Sequence, residues 1–591
     1  MNFLPHGRSI CNDSARAAAW KRNSRVSTKV AIASEPNAAR GVHSGEPETN
    51  SSRGPELGQD WLQRNQNALA MLIVAAGFAI RLVNARRSFF NPDEALLFLF
   101  SDQPSIWQAY KASLGTAHPP LLILFLYFWR FLGRSELMLR LPSVLAGAGF
   151  CWFTFRWMEK AFSGTAGVVA LVIAAFSPTL IGIAIELRQY SLLVFFLAAA
   201  LYYLEAALQS GSAREMWAFH FFLYLAILTH YSAVFFVVAA GVYALVRIAA
   251  GRQGKGAATA WVAGQCAAAG LYAGLFVTHV WKVRGEFPLW SGGYNQFFFR
   301  GEFADIFSFL REGTPAVFQY LFGESHLAQA MLLLWMAGLT MLLLWGLFRN
   351  RSYASSIALG LLLLLPFLTL WSAVATGKYP YYPGRHTIIL APFAIAAVSA
   401  LLAAVVRQKL WAGLALAAAV AVISSSAGYT AEAFPITRDQ RRELMTEAVR
   451  YVQQSVPANE PILLDNQSSM MAAYYLCAPG EAGAFFESAS EFTPFHCGGH
   501  FFAALNYRSW MLTEKNLPAK FHDFAKQWNL KPGNRIWMVQ LSWRADLDED
   551  LRNHVPAFRC LASTRFGKDI VVFPLQVSPE LSAAPVTACG N

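Results

Sequence analysis

The sequence predicts a polytopic α-helical membrane protein with a water-soluble α/β domain at its C-terminal end. Three observations carry that class: apolar runs of about 17–25 residues recurring between Ala68 and Gly428, a charged fraction of only 14%, and a change of character after residue 430. Runs of that length cross the ~30 Å hydrocarbon layer as helices, which satisfy their own backbone polar groups. Soluble domains carry about 25% charged residues, whereas this chain is 55% hydrophobic with a mean hydropathy of +0.34. The net charge of +12 does not point to nucleic acid in such a chain. Loop Lys and Arg set topology and meet anionic membrane lipid.

Residues 1–66 are polar and basic, with no apolar core after the first few positions. They read as a disordered cytosolic tail rather than a cleaved signal, and Ala68–Val83 reads as the first membrane helix and signal anchor. Residues 67–429 are expected to form the membrane domain. Its candidate spans are 68–84, 141–157, 164–185, 190–208, 216–230, 232–249, 258–281, 327–348, 354–374, 386–406 and 410–428. That makes about eleven, with eleven to thirteen possible. Pro119–Phe131 is apolar but only about 13 residues long, which suits a re-entrant or interfacial helix.

The positive-inside rule orients the spans. With the tail cytosolic, Arg156/Lys160, Arg214, Arg247/Arg252/Lys255, Arg349/Arg351 and Arg407/Lys409 all fall in cytosolic loops. Arg81, Arg86, Arg87, Arg134 and Arg140 go the other way. This topology leaves long outer loops at about 85–140 and 282–326, the second rich in aromatics (Trp290, Tyr294, Phe297, Phe298, Phe299), and a shorter one at Lys378–His386.

Residues 430–591 read as an extracytosolic α/β domain. Arg441–Gln454 is an amphipathic helix, Pro461–Asp465 a buried strand, Ser469–Leu476 a second helix, and Arg535–Leu541 and Asp569–Leu575 further strands. Alternating strands and helices suggest a small α/β layer. Four of the seven cysteines (Cys477, Cys497, Cys560, Cys589) lie here, with no CxxC pair. An even number suits an oxidising compartment rather than zinc. Two disulfides fit, between neighbours or in either of the other two connectivities, and so do four unpaired thiols.

The unusual polar residues share one location. Asp93, Glu94, His118, Glu186, Arg188, Tyr190, His230, Tyr231, Lys378, Arg385 and His386 all fall at outer ends of spans or in outer loops. Ionisable groups at a bilayer edge need partners, and a shared location suggests a common site. Asn91-Pro-Asp-Glu94 is a good helix start, with a capping Asn, Pro in the first turn and carboxylates at the positive dipole end. The same physics keeps a carboxylate ionised and able to accept a proton. The prolines of His118-Pro-Pro-Leu121 restrict the backbone and hold His118 at a defined place. Arg188 offers a bidentate cation for phosphate or carboxylate, and Lys378 and Arg385 flank an aromatic, Pro-rich loop. One candidate base, several cations and no metal-ligand cluster suit a reaction in which phosphate leaves and its charge is met by cations.

These motifs resemble the GT-C-type membrane glycosyltransferases. The resemblance lies in Asp93-Glu94, His118-Pro-Pro-Leu121, Gly133-Arg-Ser-Glu136 with Arg140-Leu-Pro-Ser143, Arg188-Gln-Tyr190, Thr229-His-Tyr231 and Arg385 near Pro392. It covers about residues 68–430 and is nearest to the protein mannosyltransferase and rhizobial lipopolysaccharide galacturonosyltransferase-like group. It implies an inverting transfer from a polyprenyl-phosphate-linked sugar to a hydroxyl of a lipid, glycan or protein acceptor, at the outer face of the membrane. It implies Asp93 as general base, Glu94 beside it as a catalytic partner that orients Asp93 or the donor, Arg385 with Arg188 or Lys378 on the donor phosphate, and His118 lining the acceptor side. Tyr190, His230, Tyr231 and His386 are expected to line the substrates. No cofactor, no metal-ligating residues and no nucleic acid are expected, and dependence on a metal is left open. The Ala-rich spans favour a bacterial plasma (inner) membrane. Two other classes fit a polytopic chain: a transporter or flippase of lipid-linked saccharides, and a non-catalytic scaffold. The midplane charges and inverted repeats usual in transporters are not visible in the sequence.

Overall fold

The computed structural model describes residues 63–251, 255–283, 297–323, 325–348, 353–426, 441–478, 492–505, 512–541 and 546–582. The expected tail, the boundary at 429/430, Trp290, Tyr294 and Cys589 lie outside these residues.

Each of the eleven expected spans coincides with a helix. Among the described residues, eight are long and apolar enough to cross a membrane: Gln66–Arg87 (α1), Glu136–Ala161, Gln189–Ser210, Ala233–Ala250, Lys255–Val280, Ser325–Leu344, Ser356–Ala375 and Arg385–Val405. A ninth is made of two helices, Gly164–Phe176 and Pro178–Ala184, bent by 62° at their junction. The remaining two, Ala213–Thr229 and Leu410–Ser426, have 17 residues each, about 26 Å of helix. Eight to nine full-length spans thus stand where about eleven were expected. The piece after the His-Pro-Pro motif, Leu121–Leu132, is a short apolar helix.

The bent span has a local cause. Proline disfavours helical backbone at the residue before it, and Ser177 before Pro178 is extended (φ −62°, ψ 123°). The break orphans the last carbonyls of the first half. Arg81 of α1 takes them up, donating to Ala174 O at 3.1 Å and Ala175 O at 2.8 Å. Gly147 lies opposite, and a Cβ there would come within 2.9 Å of Arg81 Nε and 2.7 Å of Ala184 Cβ. Arg81 is therefore fully buried, which explains why it ignores the positive-inside pattern. Arg134 and Arg140, two further exceptions, pair with Asp102 and Glu94. An arginine consumed by an internal carboxylate carries little topological information.

The segment between α1 and the helix Glu136–Ala161 holds two short helices, α2 (Pro92–Ser101) and α3 (Ile106–Ser113). Beyond residue 441 the expected helices and strands appear, at Arg442–Ser455 (α4), Ile462–Leu464 (β1), Asn466–Tyr475 (α5), Arg535–Gln540 (β4) and Ile570–Val577 (β7). The sequence reading had no hairpin at Phe492–Cys497 (β2) and His500–Leu505 (β3), and no short strands at Phe558–Cys560 (β5) and Thr564–Phe566 (β6). All seven strands form one sheet in the order β2-β3-β1-β4-β7-β5, with β6 also on β7. β1 runs parallel to β3 and β4, and the other pairs are antiparallel.

The three residues of β1 show why it is apolar throughout. Side chains alternate between faces, so Ile462 and Leu464 enter one core and Leu463 the other. Leu463 packs with the helices Leu517–Gln527 and Leu547–His554, through Phe521, Phe524 and Leu551. The opposite core joins α4, α5 and Phe89, Phe90, Phe98 and Leu99 of the segment that follows α1. The soluble domain therefore shares a hydrophobic core with the loop that carries Asp93 and Glu94. A disulfide joins Cys477, just past α5, to Cys497 at the end of β2, one of the two expected neighbour pairings.

Candidate active site

The Asn91-Pro-Asp-Glu94 segment forms a complete capping box. Asn91 Oδ1 accepts from Glu94 N at 3.0 Å, and Glu94 Oε2 accepts from Asn91 N at 2.9 Å. This locks the first turn of α2 and sends the two adjacent carboxylates apart, since consecutive helical residues diverge by ~100°.

Glu94 points inward and is fully buried. Both its oxygens accept from Arg140, from Nε at 2.7 Å and Nη2 at 2.7 Å, and Oε1 also accepts from Leu187 N at 2.7 Å. Arg140 in turn donates to Ala85 O, Ser88 O and Phe89 O. One carboxylate thus fastens α2 to the end of α1, to the helix bearing Arg140 and to the turn before Arg188. Its acceptor capacity is used up within the protein.

Asp93 points the other way and keeps 23% of its side chain exposed. Arg385 donates from Nη2 to Asp93 Oδ2 at 2.5 Å, and Arg188 Nη1 lies 3.4 Å from the same oxygen. Arg385 also reaches Glu186, at 3.9 Å through Nη1. Each arginine is placed by its backbone. Arg188 is the extended N-cap of the helix Gln189–Ser210, and Ser143 Oγ donates to its carbonyl. Arg385 opens the short 3-10 turn Arg385–Leu390, closed by Thr387 Oγ1 donating to Gly384 O at 2.8 Å. A Cβ at Gly384 would lie 2.2 Å from the Tyr382 ring, so this turn requires glycine.

Behind the ion pairs lies an aromatic wall. Both guanidiniums face the Tyr190 ring, Arg188 at 5.8 Å and Arg385 at 5.7 Å. His118, His230 and His386 surround the same ring, with centroids 6.2, 5.4 and 6.2 Å from it. His118 and His230 are 5.1 Å apart. His230 is fixed by Ser232, whose N–H meets its Nδ1 at 3.1 Å. Burial pushes His118 well below the ordinary imidazole range, and His230 and the two arginines add to the effect. His118 is therefore neutral at pH 7 and able to donate and accept. Its Nδ1 is buried without a protein partner.

The tertiary structure thus brings together nine residues singled out in the sequence: Asp93, Glu94, Glu186, Arg188, Arg385, His118, Tyr190, His230 and His386. Two do not join them. Tyr231 turns to His279, with its hydroxyl 2.7 Å from Nδ1, and Lys378 is exposed and takes part in none of these contacts. Tyr231 faces away because it follows the helix end at His230, where successive residues diverge.

Several supporting residues were not legible in the sequence. Arg140 stands out in the sequence only as an exception to the positive-inside pattern and as the start of Arg140-Leu-Pro-Ser143, and its pairing with Glu94 is not readable there. Tyr475 carries no such signal. It lies in the soluble domain, yet its hydroxyl accepts from Phe90 N at 2.8 Å and donates to Glu136, which also pairs with Arg442 at 2.8 Å. Tyr474 packs on Phe90 at 4.7 Å and on Phe98 at 5.1 Å. Among the described residues no group of three or more His, Cys, Asp or Glu has the arrangement of a metal site.

No curated protein matches the chain. Among solved structures, ArnT from Cupriavidus metallidurans bound to undecaprenyl phosphate is 13% identical, with 86% of this chain and 98% of that chain covered and a TM-score of 0.47. The Archaeoglobus fulgidus oligosaccharyltransferase tethered to an acceptor peptide is 12% identical, covering 83% and 70%, with a TM-score of 0.46. The mycobacterial arabinofuranosyltransferase AftD is 13% identical, covering 87% and 40%, with a TM-score of 0.36. Residues 117–270, which include His118, Arg140, Arg188, Tyr190 and His230, match the family model described as dolichyl-phosphate-mannose-protein mannosyltransferase. The match to the mannosyltransferase family model therefore takes in His118, Arg188, Tyr190 and His230, while Asp93, Glu94, Arg385 and His386 lie outside it.

Proposed function

We propose that this protein is an inverting glycosyltransferase of a bacterial plasma membrane. It moves a sugar from a polyprenyl-phosphate-linked donor to an acceptor hydroxyl at the outer face. The observation that carries this reading is the pairing of one partly exposed carboxylate, Asp93, with two guanidiniums from separate segments, Arg188 and Arg385, beside a wall of neutral imidazole and phenol.

The chemistry follows from that arrangement. The acceptor oxygen forms a bond to the anomeric carbon as the bond from that carbon to the donor phosphate oxygen breaks. Asp93 takes the acceptor proton, and the polyprenyl phosphate leaves carrying the electron pair. Charge developing on phosphate is met by Arg385 and Arg188, whose donors match its geometry. Glu94 is a positioning residue: it holds Asp93 and Arg188 in register and touches no substrate. His118, Tyr190, His230 and His386 line the sugar and acceptor side. We further propose three parts, a tail at 1–66, a membrane domain at 67–429 and an extracytosolic domain at 430–591.

The test is transfer by the purified protein in proteoliposomes, using undecaprenyl-phosphate-linked sugars and envelope glycolipid extracts. The expected result is sugar-dependent release of undecaprenyl phosphate, lost in Asp93→Asn by 10²–10⁴-fold, the usual range for a general base. Unimpaired turnover by Asp93→Asn would overturn the assignment. A reporter active only outside the cytosol, fused after Asn591, should be active. Activity only from a cytosolic reporter would overturn the outer-face placement.

A further inference from the structure

A cavity of about 410 Å³ lies between the segment that follows α1 and the soluble domain, within the ~300–1,000 Å³ range of small-molecule sites. Its walls include Asp102, Arg134 and Glu136 from the membrane part and Arg442, Thr446 and Tyr474 from the soluble part. It is distinct from the cluster around Asp93: none of Arg188, Arg385, His118 or Tyr190 lines it.

Its charges are layered. Arg134 pairs with Asp102, and Arg442 pairs with Glu136 through Nε at 2.8 Å. The carboxylates are the hidden members, with side chains 12% and 4% exposed, against 36% and 50% for the guanidiniums. A ligand entering the cavity therefore meets cations first, although the pairs are formally neutral. Asp102 is also shared with the buried Arg130, at 3.0 Å, which leaves that group with one excess positive charge. Tyr474 adds an aromatic wall, held by its hydroxyl donating to Arg134 O at 2.8 Å, and Ser135 and Thr446 also line the cavity. The Ser135 hydroxyl accepts from Met138 N and the Thr446 hydroxyl donates to Arg442 O, so that each keeps one further hydrogen-bonding capacity.

The cavity also connects to the catalytic segment. α2 carries Asp93 in its first turn and Phe98 and Leu99 at the cavity wall, with Asp102 as its C-cap. Five to nine residues of helix separate these positions, roughly 8–14 Å. Tyr475, at the cavity floor, hydrogen-bonds Phe90 N immediately before the capping box.

We infer that this cavity is a second subsite, which binds an anionic saccharide portion of the acceptor at a fixed distance from Asp93. Exposed guanidiniums recognise the acidic group, the hydroxyls recognise the sugar's own, and the Tyr474 ring faces its apolar side. The inference rests on the proposed transfer for the word acceptor, and on the cavity alone for the ligand chemistry.

The test is calorimetric titration of the full chain in phosphatidylcholine nanodiscs with three probes: a hexuronic acid disaccharide, a neutral disaccharide and inorganic phosphate. The expected result is saturable binding of the hexuronate disaccharide. Binding should weaken at least about tenfold in Arg442→Ala, the loss of one charge-assisted hydrogen bond. It should also disappear in Thr446→Trp, which fills the cavity from an exposed helix position without altering charge. Undecaprenyl phosphate binding, measured in parallel, should be unchanged in both variants. Absence of hexuronate binding by wild type, binding indifferent to both substitutions, or equal binding of phosphate alone overturns the subsite. Undecaprenyl phosphate binding without hexuronate binding removes only the subsite. Hexuronate binding without any sugar transfer removes the proposed function and leaves the cavity assignment standing.

Discussion

Replacing Glu94 by glutamine separates a positioning carboxylate from a chemical one, and the structure sets the size of the effect. Glu94 is fully buried and accepts four hydrogen bonds. Arg140 Nε and Leu187 N meet Oε1, while Arg140 Nη2 and Asn91 N meet Oε2. A glutamine offers one oxygen and one NH2 group. In either orientation, one guanidinium N–H and one backbone N–H face another donor. Arg140 keeps its carbonyl partners Ala85 O, Ser88 O and Phe89 O, but these carry no compensating charge. Breaking a buried pair from one side costs about 3–5 kcal/mol. Asp93→Asn, at a side chain 23% exposed, should cost far less stability and far more turnover. The assay is a thermal scan of both variants in one detergent, with transfer measured per folded molecule. The transition of a protein this large is read only relative to wild type. Glu94→Gln should melt well below Asp93→Asn and should retain at least about tenfold more turnover. Adding Arg140→Met should restore part of the loss, because the stranded charge goes with it. A Glu94→Gln protein as stable as wild type yet inactive would refute the reasoning and move Glu94 into the chemistry.

Three further outcomes follow from the same geometry. Arg385→Ala should lose undecaprenyl phosphate binding and turnover together, while Arg385→Lys recovers part of the charge without the planar fork; isothermal titration and transfer assays check both, and wild-type donor affinity in Arg385→Ala would exclude the phosphate role. Removing the Cys477–Cys497 bridge, whose cysteines are 20 residues apart, should destabilise the soluble domain by about 3 kcal/mol on the loop-closure scale, seen as faster limited proteolysis of Cys477→Ser. His118 is held well below its unfolded pKa of about 6.5, so folding disfavours its protonation: it costs nothing above that pH, and stability falls as pH drops below it, by up to about 1.4 kcal/mol per unit. Melting curves between pH 7.5 and 5 should therefore flatten in His118→Gln, and an unchanged slope would remove His118 from the acid response.

Local patterns made much of this protein legible in advance. Each expected span coincides with a helix, because an apolar run of about twenty residues has few other ways to satisfy its backbone in hydrocarbon. Asn91-Pro-Asp-Glu94 announced a capped helix start, since a capping box involves only neighbours. The same locality explains what was missed. Strand segments of three residues such as Phe558–Cys560 and Thr564–Phe566 carry too little periodicity to be read, and exist because β7 offers them a ladder. Three of the five arginines that broke the positive-inside pattern, Arg81, Arg134 and Arg140, are held by partners that the sequence does not reveal.

The sequence by itself determined that the chain lives in a membrane, which end holds the soluble domain, and which residue types could bind a phosphate and take a proton. Only the tertiary structure decided how those residues divide. Asp93 and Glu94 are adjacent and chemically alike, yet one is spent on Arg140 and the other faces Arg188 and Arg385. Tyr231 and Lys378 matched the pattern as well as His230 and Arg385 did, and they stand apart. Tyr475, more than 380 residues from Phe90 in the chain, holds the segment that carries Asp93. Side-chain direction depends on contacts hundreds of residues away, and no local period or spacing encodes them.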